Sequence, residues 1–308
     1  MEILLHIGAH RTATTTLQRM MGQGRPAMQD TGLAYWGPKR CRGGLFDGLY
    51  GATVALPPRR PGRALRRVAL QAKMAEDAGA ALLFVSEENM LGTMRRNIEA
   101  QRLYPGAGDR VAGFAAGFAG LGLTIGLSIR CYDAYWASCL GWRMQRGGPL
   151  PRPALCDRLV TQPRRWRHVI AELAQGLPGA RITVWTHETM AGQPAALVER
   201  LTGCRIAPQA AGAWRNPTPS LTHLRGYLDD IGADPALARG TGGRFMPFDA
   251  DQRRALRDQY AEDLAWLAAG AGGLAEYLDE AGARTLRPTG QGRGRSDDGQ
   301  PGRLAQSG

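Results

Sequence analysis

Along the chain, short runs of consecutive apolar residues alternate with longer stretches in which apolar positions return every three or four residues. The runs occupy residues 3–7, 80–86, 121–130 and 181–186. Runs that are apolar on both faces have the pattern of strands buried in a parallel sheet, and the wider spacing between them is that of helices packed on it. The spacing predicts helices over 17–28, 63–78, 97–103, 110–119, 133–144, 164–177, 195–202 and 221–231, with a short extended piece at 32–36. A strong helical pattern over 249–268 puts Leu256, Tyr260, Leu264 and Leu267 on one stripe, and 274–281 adds one or two turns. Strand–helix units repeated four times before a helical C-terminal third predict an α/β fold, a single-domain parallel sheet flanked by helices.

Breaks in the pattern organise the rest. Residues 39–61 are rich in Gly, Pro and Arg without a period, and a stretch of that length reads as a functional loop or lid. Prolines break the chain again at 149–153, and Asn216-Pro217-Thr218-Pro219-Ser220 punctuates before another helix. From 287 to 308 almost no apolar residue occurs, so this segment is expected to be a disordered basic tail on a domain spanning 1–286. No run is long enough to span a bilayer, and Gly8, His10 and Arg11 interrupt the first apolar stretch before it could serve as a signal peptide. The five cysteines are scattered, without C-x-x-C spacing, which suits free thiols in a reducing compartment and makes the cytoplasm the expected location.

Composition narrows the class less than the pattern does. The net charge of +12 is carried almost wholly by arginine, since Lys39 and Lys73 are the only lysines. Guanidinium forks suit phosphate and sulfate, so the excess fits an anionic donor, an anionic acceptor or nucleic acid. An Ala/Gly/Arg-rich, Lys-poor chain is also what a GC-rich coding sequence yields. The cations are spread out, and no nucleic-acid-binding module is apparent.

Candidate chemistry gathers where the strands end. The first run stops at Gly8, and Ala9, His10, Arg11 and the hydroxyls Thr12, Thr14, Thr15 and Thr16 follow before a helix whose Leu17, Met20 and Met21 share a face. A glycine turn, a cation, hydroxyls and a helix N-terminus together describe an anion cradle. The strict pattern G-x-x-x-x-G-K-[ST] is not met. Past the second strand stand Glu87 and Glu88, either of which could take a proton from an attacking hydroxyl or simply favour a helix N-terminus. The third ends on Arg130, with Ser138 eight residues on in the next helix, and the fourth is followed by His187 and Glu188. A late glycine-rich turn carries Arg244. No cluster has the spacing of a metal site.

The first loop resembles the 5′-phosphosulfate-binding loop of sulfotransferases that use 3′-phosphoadenosine-5′-phosphosulfate (PAPS). That loop runs G-x-x-[KR]-[ST]-G-[ST]-[ST], and Gly8, Arg11, Thr12, Thr14 and Thr15 match it. Ala13 stands where the family has glycine, which asks for a negative φ or a small strain there. The Arg130–Ser138 pair resembles the family's second signature, which holds the 3′-phosphate, and two such charge-assisted contacts are worth about 1.5–3 kcal/mol each. The resemblance spans residues 1–267, with its specific motifs in two short stretches. It implies a P-loop NTPase-like sulfotransferase fold and PAPS as donor without a metal. The donor would lie against Gly8, His10, Arg11, Thr12, Ala13, Thr14, Thr15, Arg130, Ser138 and Arg244. Glu87 or Glu88 would be the base, with His187 as an alternative, and the acceptor would be a hydroxyl compound whose identity is not written in these motifs. The competing readings are a P-loop-like kinase or nucleotide hydrolase using ATP and Mg²⁺, and a non-catalytic arginine-rich protein that binds anions or nucleic acid.

Overall fold

In the computed structural model the described residues are 1–28, 31–50, 61–206 and 218–279. The expected tail at 287–308, residues 51–60 of the expected lid, and Asn216 and Pro217 lie outside them. In chain order the strands are β1 (Glu2–His6), β2 (Leu33–Trp36), β3 (Leu82–Ser86), β4 (Gly122–Ile129), β5 (Arg181–Thr186), β6 (Gly240–Thr241), β7 (Arg244–Phe245) and β8 (Glu276–Tyr277). Six form one sheet in the order β2-β3-β1-β4-β5-β8, and every pairing in it is parallel. β6 and β7 make a separate antiparallel hairpin.

β1 is the spine. Ile3 and Leu5 enter one core and Leu4 the other, as the period of a strand requires when both faces are covered. Over the first face lie the helices Pro61–Asp77, Ala107–Ala115, Tyr132–Met144, Trp166–Gly176 and Ala250–Ala268, represented in that core by Val68, Val111, Trp136, Val169 and Leu256. Over the second, Leu17 and Met21 of the helix Thr14–Gln23 and Leu197 and Leu201 of Pro194–Thr202 pack on Leu4, Phe84 and Trp185. The result is three layers, α/β/α.

Topology fixes where a ligand can sit. His6 is level with Ser86 of β3 and Gly126 of β4, so the strands finish along one edge. The chain leaves β1 toward β2 and leaves β4 toward β5, and this divergence opens a crevice between two adjacent strands at their carboxyl ends. Among the described residues no helix is long and apolar enough to cross a membrane, and all five cysteines are free.

Three expectations are corrected. Residues 39–50 are not an open lid, because a short helix at Pro38–Arg40 and a π-helical turn at Cys41–Leu45 bury Cys41, Leu45, Phe46 and Leu49. Gly43 and Gly44 within that turn hide its apolar spacing in the sequence. The break at 149–153 stands, and Pro153 opens the helix Pro153–Thr161, as its fixed φ allows at a first helical position. Of the segment 274–281, residues 280 and 281 lie outside the described residues, and 274–279 contributes β8, which pairs with Thr183 and Val184 at the sheet edge, in place of the expected helical turns. In the helix Ala250–Ala268 the buried stripe is Leu256, Tyr260, Asp263 and Leu267, so a carboxylate occupies the place expected for Leu264.

That buried carboxylate ties the C-terminal helix to the helices Tyr132–Met144 and Trp166–Gly176. Asp263 accepts from the Tyr132 hydroxyl, from the Trp166 backbone N–H at 3.1 Å and from Arg167 Nε at 2.5 Å. Asp263→Ala would strip the buried Tyr132 hydroxyl and the Arg167 guanidinium of their acceptor and leave the Trp166 N–H only its 2.6 Å bond to Tyr132 Oη, and should lower the unfolding free energy by about 3 kcal/mol. Urea denaturation with an unchanged m-value would register this as a lower midpoint, and an unchanged midpoint would show that Asp263 does not anchor the helix.

Candidate functional site

The first loop begins later than β1 ends. Ile7 N–H donates to the Gly126 carbonyl and Ala9 N–H to that of Ser128, each at 3.0 Å, so the chain follows β4 up to the crevice before it turns. Gly8 is required by contact: a Cβ there would lie 2.9 Å from His6 Nε2 and 3.0 Å from Thr14 Cγ2. Beyond it Arg11 (φ 68°) and Ala13 (φ 66°) both take the left-handed conformation, at a cost of about 1–2 kcal/mol each for a residue with a side chain. The strain anticipated for Ala13 is therefore present. Thr12 Oγ1 donates to the Ala9 carbonyl and closes the turn.

Ala13 is also the N-cap of the helix Thr14–Gln23 and supplies no side-chain cap. Its carbonyl accepts from Thr16 and Leu17 at 3.0 and 3.4 Å, leaving the N–H groups of the first turn at the mouth of the crevice. With the positive end of the helix dipole, such N–H groups favour an anion.

Arg11 and Arg130 converge there. Arg11 Nε donates to Ser138 Oγ at 2.8 Å, and Ser138 Oγ lies 2.7 Å from Thr218 Oγ1. Arg130 Nη1 donates to the Arg11 carbonyl at 2.7 Å, while its buried Nε has no hydrogen-bond partner among the described residues. Trp166 Nε1 donates to the Arg130 carbonyl at 2.9 Å and fixes where the strand ends. Burial, then the neighbouring Arg130 and Arg146, hold Arg11 below the usual guanidinium range. Arg130 is lowered by burial and by Arg244, against the pull of Glu188. Among the described residues no carboxylate forms an ion pair with Arg11, Arg130, Arg146 or Arg244. Arg146 instead lies 3.9 Å over the Trp142 ring. Arg244 is exposed on β7, beside Phe245, which packs against Gly141 of the helix that carries Ser138. His187 neighbours the Thr12 backbone, and burial followed by Arg130 lowers its pKa to about 4.

The two carboxylates past β3 sit in unlike surroundings. Glu87 is fully buried, accepts two bonds from Arg42 at 2.8 Å and one from Asn89 N–H at 2.9 Å, and is pushed above the usual carboxylate range by burial. Glu88 is 15% exposed and accepts from Gln18 Nε2 at 2.8 Å and Arg42 Nη2 at 2.9 Å. Burial pushes it up, but His10, Gln18 and Arg42 together hold it below its ordinary value. His10 bridges the loop to this side: its Nε2 lies 3.2 Å from Asn89 Oδ1, and its backbone N–H donates to the Tyr104 hydroxyl at 2.8 Å. Below it His6 bonds Ser86 Oγ at 2.8 Å and stacks on Trp185, and burial lowers its pKa to about 4.

The structure thus brings Gly8, His10, Arg11, Thr12, Ala13, Thr14, Thr15, Arg130, Ser138 and His187 to one crevice, with Glu87 and Glu88 on its β3 side and Arg244 at its β7 side. Arg42, Gln18, Asn89, Tyr104, Arg146 and Thr218 were not foreseen. Gln18 follows the loop hydroxyls by one helical turn and could have been read onto their face. Nothing in the sequence distinguishes Arg42 from the other arginines. Comparison with protein-family models, curated proteins and solved structures finds no match for this chain. The fold and crevice define a parallel α/β protein with a basic, hydroxyl-lined crevice at the carboxyl edge of its sheet.

Two consequences can be measured. Ala13→Gly removes the left-handed penalty and should raise the unfolding free energy by about 1 kcal/mol in chemical denaturation, where Ala13→Val should lower it; the reverse order would mean that the loop is not held in this conformation. Buried His6 stays neutral in the native chain while the unfolded chain takes up a proton below its ordinary pKa of 6.5. Stability should therefore be full above that value and fall by about 3 kcal/mol as pH drops toward about 4. Unfolding free energies across that window should show a steeper slope in the natural chain than in His6→Phe, and equal slopes would exclude His6 as the source.

Proposed function

We propose that the chain is a sulfotransferase that uses PAPS to sulfate an acceptor hydroxyl. The observation that carries the reading is the convergence of Arg11, Arg130 and Ser138 at an uncapped helix N-terminus. Among the described residues the two half-buried guanidinium groups there form no ion pair with a carboxylate, and one has a buried N–H without a hydrogen-bond partner. A ligand rich in phosphate or sulfate oxygens would satisfy those donors, and the loop resemblance narrows the choice to PAPS.

PAPS supplies, when bound, a sulfuryl group on a phosphate that can leave as its anion. The first-turn N–H groups, Arg11 and Thr12, Thr14 and Thr15 hold that phosphate and stabilise the charge that grows on it. Arg130 and Ser138, with Arg244 closing from β7, hold the 3′-phosphate and distinguish such a nucleotide from ATP. Glu88, partly exposed and held ionised by its neighbours, takes the proton from the acceptor hydroxyl. Glu87 is saturated by Arg42 and Asn89 N–H, and its part is to position Arg42 against Glu88.

Thermal unfolding with 3′-phosphoadenosine-5′-phosphate, and separately with ATP and Mg²⁺, tests the donor site in the natural chain and in Arg130→Ala. At 100 times its dissociation constant the bisphosphate should add about 2.7 kcal/mol, visible as a higher Tm that Arg130→Ala abolishes. Stabilisation by ATP instead would favour a kinase or nucleotide hydrolase. No shift with either, joined to salt-steep polyanion binding that survives Arg11→Ala, would favour a non-catalytic anion-binding protein.

A further inference from the structure

One guanidinium beside the crevice is held in the opposite way from Arg11 and Arg130. Arg42 stands on the π-helical turn Cys41–Leu45, which is anchored by the buried Cys41 and Leu45. Its side chain is 45% exposed, whereas that of Glu87 beneath it is fully buried. Three hydrogen bonds to two carboxylates hold it in one geometry, an ordering that a loose surface arginine does not have.

The donors of Arg42 can be counted, because a guanidinium carries five N–H groups in a planar fork. Nε donates to Glu87 Oε2 and Nη2 to Glu87 Oε1, each at 2.8 Å, and the second Nη2 hydrogen goes to Glu88 Oε1 at 2.9 Å. Nη1 keeps both its hydrogens without a partner among the described residues. One carbon separates Nη1 from Nη2, so these hydrogens stand beside the Glu88 carboxylate. Glu88 is fixed from its other oxygen as well, where Gln18 Nε2 donates to Oε2 at 2.8 Å.

Charge limits what this pair can hold. Glu87 accepts two hydrogens from Arg42 and one from Asn89 N–H and donates none, as an ionised carboxylate does. Glu88 accepts from Gln18 and Arg42. Arg42 therefore balances one of two adjacent negative charges, and its Nη1 offers a hydrogen bond with no net attraction for a further acid. A neutral oxygen suits it.

We infer that Arg42 is an acceptor-binding residue and that the acceptor is an uncharged vicinal diol, as in a carbohydrate. Nη1 donates to one oxygen, while the hydroxyl on the adjoining carbon loses its proton to Glu88. Because the guanidinium and the carboxylate touch, the two oxygens that they meet are neighbours too, and a lone alcohol would leave Nη1 unused. The inference rests on the proposed function in taking Glu88 as the base.

Ligand-observed saturation-transfer NMR on the full chain, with 3′-phosphoadenosine-5′-phosphate present, compares cyclohexanol, cyclohexane-1,2-diol and the same diol bearing a carboxylate. The natural chain should bind the diol about fivefold more tightly than the mono-alcohol, the worth of one net hydrogen bond, and more tightly than the acid. Glu87→Gln removes one negative charge and should bring the acid up toward the neutral diol. Arg42→Met added to Glu87→Gln leaves no buried charge unpaired and should abolish the preference for the diol over the mono-alcohol. A natural chain without that preference would overturn the inference, as would a folded double variant that keeps it. Should the double variant not fold, a Glu87→Gln protein that gains nothing for the acid would overturn it, and should neither fold, the natural chain decides alone. The Tm read in the same samples keeps the two claims apart. No shift with the bisphosphate removes the donor assignment, while a diol preference that depends on Arg42 stands without it.

Discussion

Two guanidinium groups are drawn largely out of water at the carboxyl edge of the sheet, and among the described residues neither is in ion-pair contact with a carboxylate. Desolvating Arg11 and Arg130 this way costs free energy that no such pair among the described residues returns, so their surroundings hold them by other means. Ser138 and the Arg11 carbonyl take one guanidinium donor each, and the Trp166 indole pins the strand from which Arg130 projects. These contacts position the cations without neutralising them. The parallel sheet makes this possible, because β1 and β4 end side by side while the chain departs from them in opposite directions. On the proposed reading, an anion could enter such a crevice without first breaking an internal ion pair.

The opposite arrangement holds on the β3 side. Glu87 and Glu88 are adjacent in the chain, yet Arg42 closes two bonds on the first and one on the second, so that burial governs Glu87 while neighbouring charge governs Glu88. Adjacent residues leaving a strand point different ways, and here the divergence separates a structural carboxylate from one that still meets solvent. His10 and Gln18, both on the stretch that leaves β1, reach across to this turn, so that loop and turn move as one unit.

Much of the fold was legible because a buried parallel strand has to be apolar on both faces. The runs that became β1, β3, β4 and β5 could not be anything else of their length, and residues 181–186 were bounded to the residue. β8 escaped because two paired residues at a sheet edge have no period. Cys41–Leu45 escaped because glycines dilute its apolar spacing. At the site, Gly8, Arg11, Arg130 and Ser138 were legible through their order relative to strands and helix starts. Arg42, Tyr104 and Thr218 were not, because each reaches the crevice from a segment with its own local reason to exist. Which carboxylate pairs with which arginine is decided by tertiary proximity, and no spacing encodes that.

The contact between Asp263 and Trp166 also has a bearing on how the chain matures. Trp166 donates its indole N–H to the Arg130 carbonyl and its backbone N–H to Asp263. The placement of a residue in the crevice thus depends on a carboxylate in the last long helix. A growing chain could complete β1, β3 and β4 and still lack the clamp that seats Arg130. The full set of contacts that seats Arg130 is therefore complete only with the helix Ala250–Ala268 in place.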